Sequence, residues 1–222
     1  MKTIRFYFCI FTLCCSHSLF AQEESGNGML FPQFEQGVVV LKNGVRSSAS
    51  LNYNMLQQEM RFLSADSTMM TLANPSEVIV VIIGDRRFFP GSSNGSFYEE
   101  IQAGKGSFFV QRSANVISQG KASAYGGYSQ TAAITSYDSY RSNGGTYKLN
   151  SDEKFKINVN SLYYLKSGNG YKKFYSAKAL GKLFKNHEAD IESFAKENAT
   201  DFSKIDDIAK IVEYGYSLVD NK

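Results

Sequence analysis

No cysteine follows position 15, tryptophan is absent, and histidine is reduced to His17 and His187. Each absence removes a class of chemistry. Cys9, Cys14 and Cys15 all lie near the start. Once that segment is removed there is no disulfide, thiol nucleophile or cysteine metal site. One remaining histidine gives no zinc-ligand spacing, and a Ser-His-Asp triad would have to use His187 without a Gly-x-Ser-x-Gly elbow. No glycine-rich phosphate loop follows a strand and opens a helix. A strong charge of either sign is also missing: 24 Lys and Arg against 21 Asp and Glu give +3. Removing Lys2 and Arg5 with the leader lowers this to +1. A near-neutral chain with no basic run argues against nucleic-acid binding or attachment to an anionic membrane surface. The sequence contains no cofactor signature.

Residues 1–21 read as a signal peptide. Lys2 and Arg5 precede an apolar run from Phe6 to Cys15, and a small residue, Ala21, stands before the polar Gln22-Glu23-Glu24-Ser25-Gly26. Cleavage is expected after Ala21. The alternatives are an uncleaved anchor, for which the run is short of the roughly 20 residues a span needs, and lipid attachment at Cys14 or Cys15. The residues before those cysteines lack the small side chain expected there. No other segment is long and apolar enough to cross a bilayer.

What is present is strand signal. Val78-Ile79-Val80-Val81-Ile82-Ile83 is an unbroken β-branched run between Asn74-Pro75 and Gly84-Asp85. Its residues are stiff at χ1, and the lack of alternation predicts a central strand covered on both faces. Before it, Gly37 to Lys42 meets Asn43-Gly44, predicting a hairpin with a type I′ turn. The return strand puts Val45, Ser47, Ala49, Leu51 and Tyr53 on one face. Residues 59–63 and 68–72 form a second pair around Ala65-Asp66-Ser67. Residues 87–89, 97–101 and 107–112 supply further strands, as do 147–149, 162–165 and 171–175, with Ser167-Gly168-Asn169-Gly170 as a hairpin loop.

Between residues 120 and 147 the composition shifts to five Tyr, five Gly and five Ser. This segment is either a functional loop carrying aromatic contacts, with Tyr125, Tyr128, Tyr137 and Tyr140 as partner-contact candidates, or irregular edge strands. Helical spacing takes over at Leu180, Leu183 and Phe184, at Ile191, Phe194 and Ala195, and at Ile205, Ile208, Ala209 and Val212. Ser203, with Asp206 three residues on, suggests a capping box. The expected architecture is α+β but mainly β. An antiparallel barrel, roll or sandwich spans residues 34–177 after a polar leader at 22–33, with a Gly/Ser/Tyr-rich part at about 117–147. Helices at 178–222 pack against it.

The remaining motifs carry little chemistry. Ser118–Lys121 and Ser151–Lys154 have Ser-x-x-Lys spacing but stand in strand or loop context. In Glu99-Glu100 and Asp206-Asp207 adjacent side chains diverge. Asp85-Arg86-Arg87 is read as a soluble turn, with anion recognition second. His187 is expected at a helix end.

The combination of Gly37-Val38-Val39-Val40-Leu41-Lys42-Asn43-Gly44, Leu51-Asn52-Tyr53-Asn54, Glu59-Met60-Arg61-Phe62, Val81-Ile82-Ile83-Gly84-Asp85-Arg86, Phe97-Tyr98-Glu99 and Ala124-Tyr125-Gly126 resembles an uncharacterised family of secreted Bacteroidota envelope proteins. The helical ending, with Phe184, Ile191, Phe194, Asn198, Phe202 and Asp207, is similar to that family's tail. The resemblance covers nearly all of the chain after the leader. It implies a periplasmic or outer-membrane setting, with an extracellular site also open, and transfers no catalytic residue. In that setting Asp66-Ser67-Thr68 matches a bacterial O-glycosylation acceptor, with Ser67 as the attachment residue. The resulting expectation is an exported, non-enzymatic binding or accessory protein with an envelope protein partner. The alternatives are a carboxylate-based hydrolase of envelope glycan and a barrel for an apolar ligand.

Overall fold

The computed structural model describes residues 28–92, 95–122, 128–129, 153–168, 170–185 and 187–220. Among these residues eleven strands form one antiparallel sheet: β1 Glu35–Leu41, β2 Arg46–Asn54, β3 Glu59–Leu63, β4 Met69–Thr71, β5 Val78–Ile83, β6 Arg86–Pro90, β7 Phe97–Ala103, β8 Gly106–Ala122, β9 Tyr128–Ser129, β10 Glu153–Ser167 and β11 Gly170–Phe174. Their order is β11-β10-β8-β7-β6-β5-β1-β2-β3-β4, with β9 paired to β8. Two meanders therefore join where β5 pairs with β1 instead of with the preceding β4. The sheet is open, with β11 and β4 at its edges, which overturns the closed-barrel option.

The open sheet still curls. β7 begins opposite the middle of β8, so the β8 edge beyond that point does not pair with β7. The turn between β2 and β3 covers it: Ala114 N–H donates to the Met55 carbonyl at 2.9 Å. The Tyr53 hydroxyl donates to the Arg112 carbonyl at 3.3 Å, and Gln111 donates to Gln58 at 2.5 Å. A hydrophobic cluster fills the curl. Leu51, Tyr53, Met60, Phe88 and Phe97 are each at most 1% exposed, so the interior is packed rather than hollow.

Local chemistry explains most element boundaries. The β1–β2 turn closes with Gly44 N–H donating to the Leu41 carbonyl at 2.9 Å, and Gly44 has φ 85°. Asn43 does not adopt positive φ. The connection is therefore a three-residue loop with glycine at the left-handed position, which corrects the expected type I′ turn. β5 occupies its predicted residues and a central place; Val80 on its second face is also buried, but the cover there is incomplete, with Ile79 exposed and Ile82 partly so. Leu41 and Val40 pair with Val78 and Val80, so Ile79 is an extra, bulged residue and is 47% exposed. Val78, Val81 and Ile83 point inward.

Three helices, α1 Ala177–Gly181, α2 Glu188–Glu197 and α3 Ile205–Asp220, pack on the inner face of β7, β8, β10 and β11. Their predicted stripes form a second hydrophobic cluster in which Leu180, Ile191, Ile208, Ile211 and Val212 are fully buried. Ser176 caps α1, its hydroxyl accepting the Ala179 N–H at 3.2 Å. The expected capping box at Ser203 is not formed: its hydroxyl donates to Asp201 at 2.7 Å, and Asp207 accepts the Asp201 N–H. Gly106 is tightly packed against α3: a Cβ there would stand 2.2 Å from the Tyr216 ring. That contact lets the Tyr216 hydroxyl donate to the Ser107 carbonyl at 2.9 Å and tie α3 to the sheet.

Candidate binding face

Strand alternation sends neighbouring side chains to opposite faces. Four strands use it in the same way. Phe88-Phe89 in β6, Phe97-Tyr98 in β7, Phe108-Phe109 in β8 and Tyr163-Tyr164 in β10 are aromatic doublets. The first member of each joins a buried cluster on the inner face. The second members point outward, away from the helices, where Tyr171 of β11 joins them. Tyr98 stacks on Tyr164 with centroids 4.7 Å apart and meets Tyr171 edge-on at 5.0 Å. Phe109 lies 4.9 Å from Tyr171 and 5.7 Å from Phe89. Such offset and edge-to-face contacts add to the stabilisation from burial.

The five rings form a small aromatic layer with a polar border. Tyr98 and Phe109 are buried within it, whereas Phe89, Tyr164 and Tyr171 remain partly open to solvent. No described helix covers them. The Tyr164 hydroxyl donates to Gln111 at 2.7 Å, and Gln111 donates onward to Gln58. On the other flank the Arg87 guanidinium lies 5.4 Å over the Phe89 ring and pairs with Glu100 at 3.0 Å. Burial, followed by the neighbouring Tyr98, pushes the Tyr164 phenol up to about 12. Tyr171 is raised for the same reasons, with Glu100 contributing. Both phenols are therefore neutral hydrogen-bonding groups at physiological pH.

The opposite face carries the most buried charged side chain among the described residues. Glu99 is 3% exposed and receives Arg86 Nε on one oxygen at 2.5 Å and Arg112 Nε on the other at 2.6 Å. Burial acts to raise the Glu99 carboxyl, but the two guanidiniums more than reverse this and hold it below the usual glutamate value. This group lies between the two apolar clusters. Phe97 belongs to one cluster and Ile101 packs on the other, with Glu99 midway between them on the same strand face.

The acids predicted to diverge do so. Glu99 and Glu100 face opposite sides of the sheet, each bound by an arginine. Arg86 and Arg87 are accordingly ion-paired across strands rather than serving only as a soluble turn. Asp206 and Asp207 open α3. A hollow of about 290 Å³ beside β4, lined by Glu59, Met60, Thr71, Leu72, Pro75 and Gly95, contains one carboxylate. Glu59 already pairs with Arg61 at 2.9 Å and accepts from Thr71. Among the described residues no three His, Cys, Asp or Glu side chains group as metal ligands. His187 precedes α2 and hydrogen-bonds Asp190 at 2.9 Å through Nδ1. Ser118 and Lys121 lie in β8, so the helical turn on which Ser-x-x-Lys chemistry depends is absent there.

Of the candidate contact tyrosines, Tyr128 is in β9, paired opposite Ala122, while Tyr125, Tyr137 and Tyr140 lie outside the described residues. Residues 147–149 and Ser151 also lie outside them. β8 continues through Ala122, so the compositional shift after Val116 is not a strand boundary. Ser67 sits exposed at its predicted turn with φ 64°, its N–H donating to the Ser64 carbonyl. Asp66 beside it accepts from Ser64 and Thr68, and these bonds lower its carboxyl pKa. The outward tyrosines of β7, β10 and β11 escaped sequence reasoning. Adjacent aromatics on period-two strands were the available signal. Comparison with protein-family models, curated proteins and solved structures finds no match to this chain.

Proposed function

We propose that this is an exported, non-enzymatic envelope protein that binds a protein partner through the outward aromatic layer of β6, β7, β8, β10 and β11. The carrying observation is that this layer lies on the sheet face opposite the described helices and has a border of neutral and ion-paired polar groups. Tyrosine suits such a surface because it combines a large apolar ring with a hydrogen-bonding tip and few rotatable bonds. Export rests on the sequence of residues 1–21, and the envelope setting on the resemblance. A glycan hydrolase would need opposed free carboxylates, whereas Glu99, Glu100 and Glu59 are engaged by arginines. A carrier of apolar ligands would need internal space that the ring-filled curl does not provide.

Crosslinking in intact cells of the native host, followed by mass spectrometry, tests the reading. The wild type should repeatedly recover one envelope protein. Tyr171→Ala should reduce that recovery about tenfold, as expected for an aromatic contact worth more than 1 kcal/mol. Val219→Ala, at an exposed position on α3, should leave it unchanged. Equal recovery by Tyr171→Ala and wild type would remove this face from the function. Recovery of the wild type only as a free monomer would remove the partner.

In the same setting Ser67 is an O-glycan acceptor, projecting from its turn. The intact mass of protein from the native host should exceed the sequence mass by a glycan, and Ser67→Ala should abolish the increment. An unmodified mature mass sinks this assignment.

A further inference from the structure

We infer that the inner seam between the two hydrophobic clusters is an oxyanion site, in which Arg86 and Arg112 hold the phosphate or carboxylate group of a small ligand. This site is on the opposite sheet face from the proposed partner-binding layer and does not depend on it. Two cations share one acid here. Glu99 receives an Nε–H from each arginine. Among the described residues no second carboxylate is paired within 4.0 Å of either guanidinium. The three side chains therefore carry one net positive charge, with the Arg86 side chain 27% and the Arg112 side chain 13% exposed, and the far guanidinium nitrogens are not among the described polar atoms that are buried without a partner. A buried excess charge is costly unless something neutralises it. The guanidinium fork matches the geometry of phosphate and carboxylate oxygens.

The site is built rather than incidental. Asn52, 1% exposed, pins Phe31 by accepting its N–H at 3.1 Å and donating to its carbonyl at 3.0 Å. The Phe31 ring in turn lies 4.7 Å from the Arg86 guanidinium carbon, and Phe88 lies 5.6 Å from it. Arg86 is thus held by a carboxylate and two rings while its side chain remains 27% exposed, which gives a ligand access. Tyr163 is diagonal to Arg112 on the same strand face. Its hydroxyl is buried and makes no hydrogen bond of good geometry, the Ser161 side chain on the same strand being the group that acts on it, and it can serve as another donor to the anion. Asp201 also acts electrostatically on Tyr163. It lies at the surface, accepts from Ser203 and has Lys204 at 3.7 Å, so it does not neutralise the arginine pair.

The test uses the mature protein in solution, with inorganic phosphate and acetate titrated separately at constant ionic strength set with chloride. The readouts are the Nε–Hε NMR resonances of Arg86 and Arg112 and the affinity by calorimetry. Saturable movement of both resonances with phosphate alone identifies a phosphate-bearing ligand. Movement with acetate alone identifies a carboxylate, and movement with both a general oxyanion site. No saturable movement with either overturns the inference, whatever the folding of any variant. Arg86→Gln should weaken binding about tenfold by removing one charged fork, and Arg86→Lys less than that. Unchanged affinity in folded Arg86→Gln also overturns it. Tyr171→Ala should bind the anion like wild type, so failure at one face is distinguishable from failure at the other.

Discussion

Glu99→Gln is expected to destabilise the protein by about 3 kcal/mol, because it leaves two largely buried guanidiniums without their counter-charge. The estimate takes the low end of the range for broken buried ion pairs, since Arg86 keeps some hydration at 27% exposure. Urea denaturation monitored by far-UV circular dichroism measures the loss, and a change below about 1 kcal/mol would contradict it. Replacing Arg86, Glu99 and Arg112 together with apolar residues should return part of the loss, because the desolvation cost of all three charges disappears with their attraction. The effect also has a pH signature. The folded Glu99 carboxyl titrates below its ordinary value. Its contribution is therefore fully present above the unfolded glutamate pKa and is lost as pH falls through the folded value. Wild type and Glu99→Gln should converge in stability on acidification and separate again towards neutrality. Parallel pH curves would show that this carboxylate is not the linked group.

Phe88→Ala is expected to cost about 3–5 kcal/mol, the range for truncating a fully buried phenylalanine. The ring is 1% exposed and touches both halves of the curl. It stacks on Tyr53 at 6.2 Å and meets Phe31 edge-on at 6.3 Å. Tyr53 belongs to the first meander and Phe88 to the second, so truncation opens a cavity at their junction rather than at the rim. Thermal and urea midpoints should both fall, and the Arg86 Nε–Hε resonance should shift because one of its two supporting rings is gone. Phe88→Leu should recover most of the stability. A loss of less than 1 kcal/mol in Phe88→Ala would mean that the junction collapses around the missing ring.

The candidate face was partly legible. Four of the five outward rings, all but Tyr171, sit beside an inward one in the sequence, and the period of two divides them between faces. The compositional bias at 120–147 drew attention instead, because a cluster of tyrosines is more conspicuous than single tyrosines distributed over β7, β10 and β11. The two-sided burial expected for β5 holds at Val80 but is incomplete, for a related reason. A β-branched run states strand preference strongly, but it does not say what covers the second face, and the bulge at Ile79 turns one of its residues to solvent.

By itself the sequence determined the local pieces: strand and helix segments with their apolar faces, the glycine turns, and the divergence of Glu99 from Glu100. These follow from side-chain sterics, backbone dihedrals and periodicity over a few residues. Only the tertiary structure decided that β5 pairs with β1, that Met55 reaches Ala114, and that Arg86, Glu99 and Arg112 meet in one ion group. It likewise decided which outward rings share a surface. Such contacts depend on loop closure and on which edges remain free after nearer strands have paired, and no local period encodes that choice.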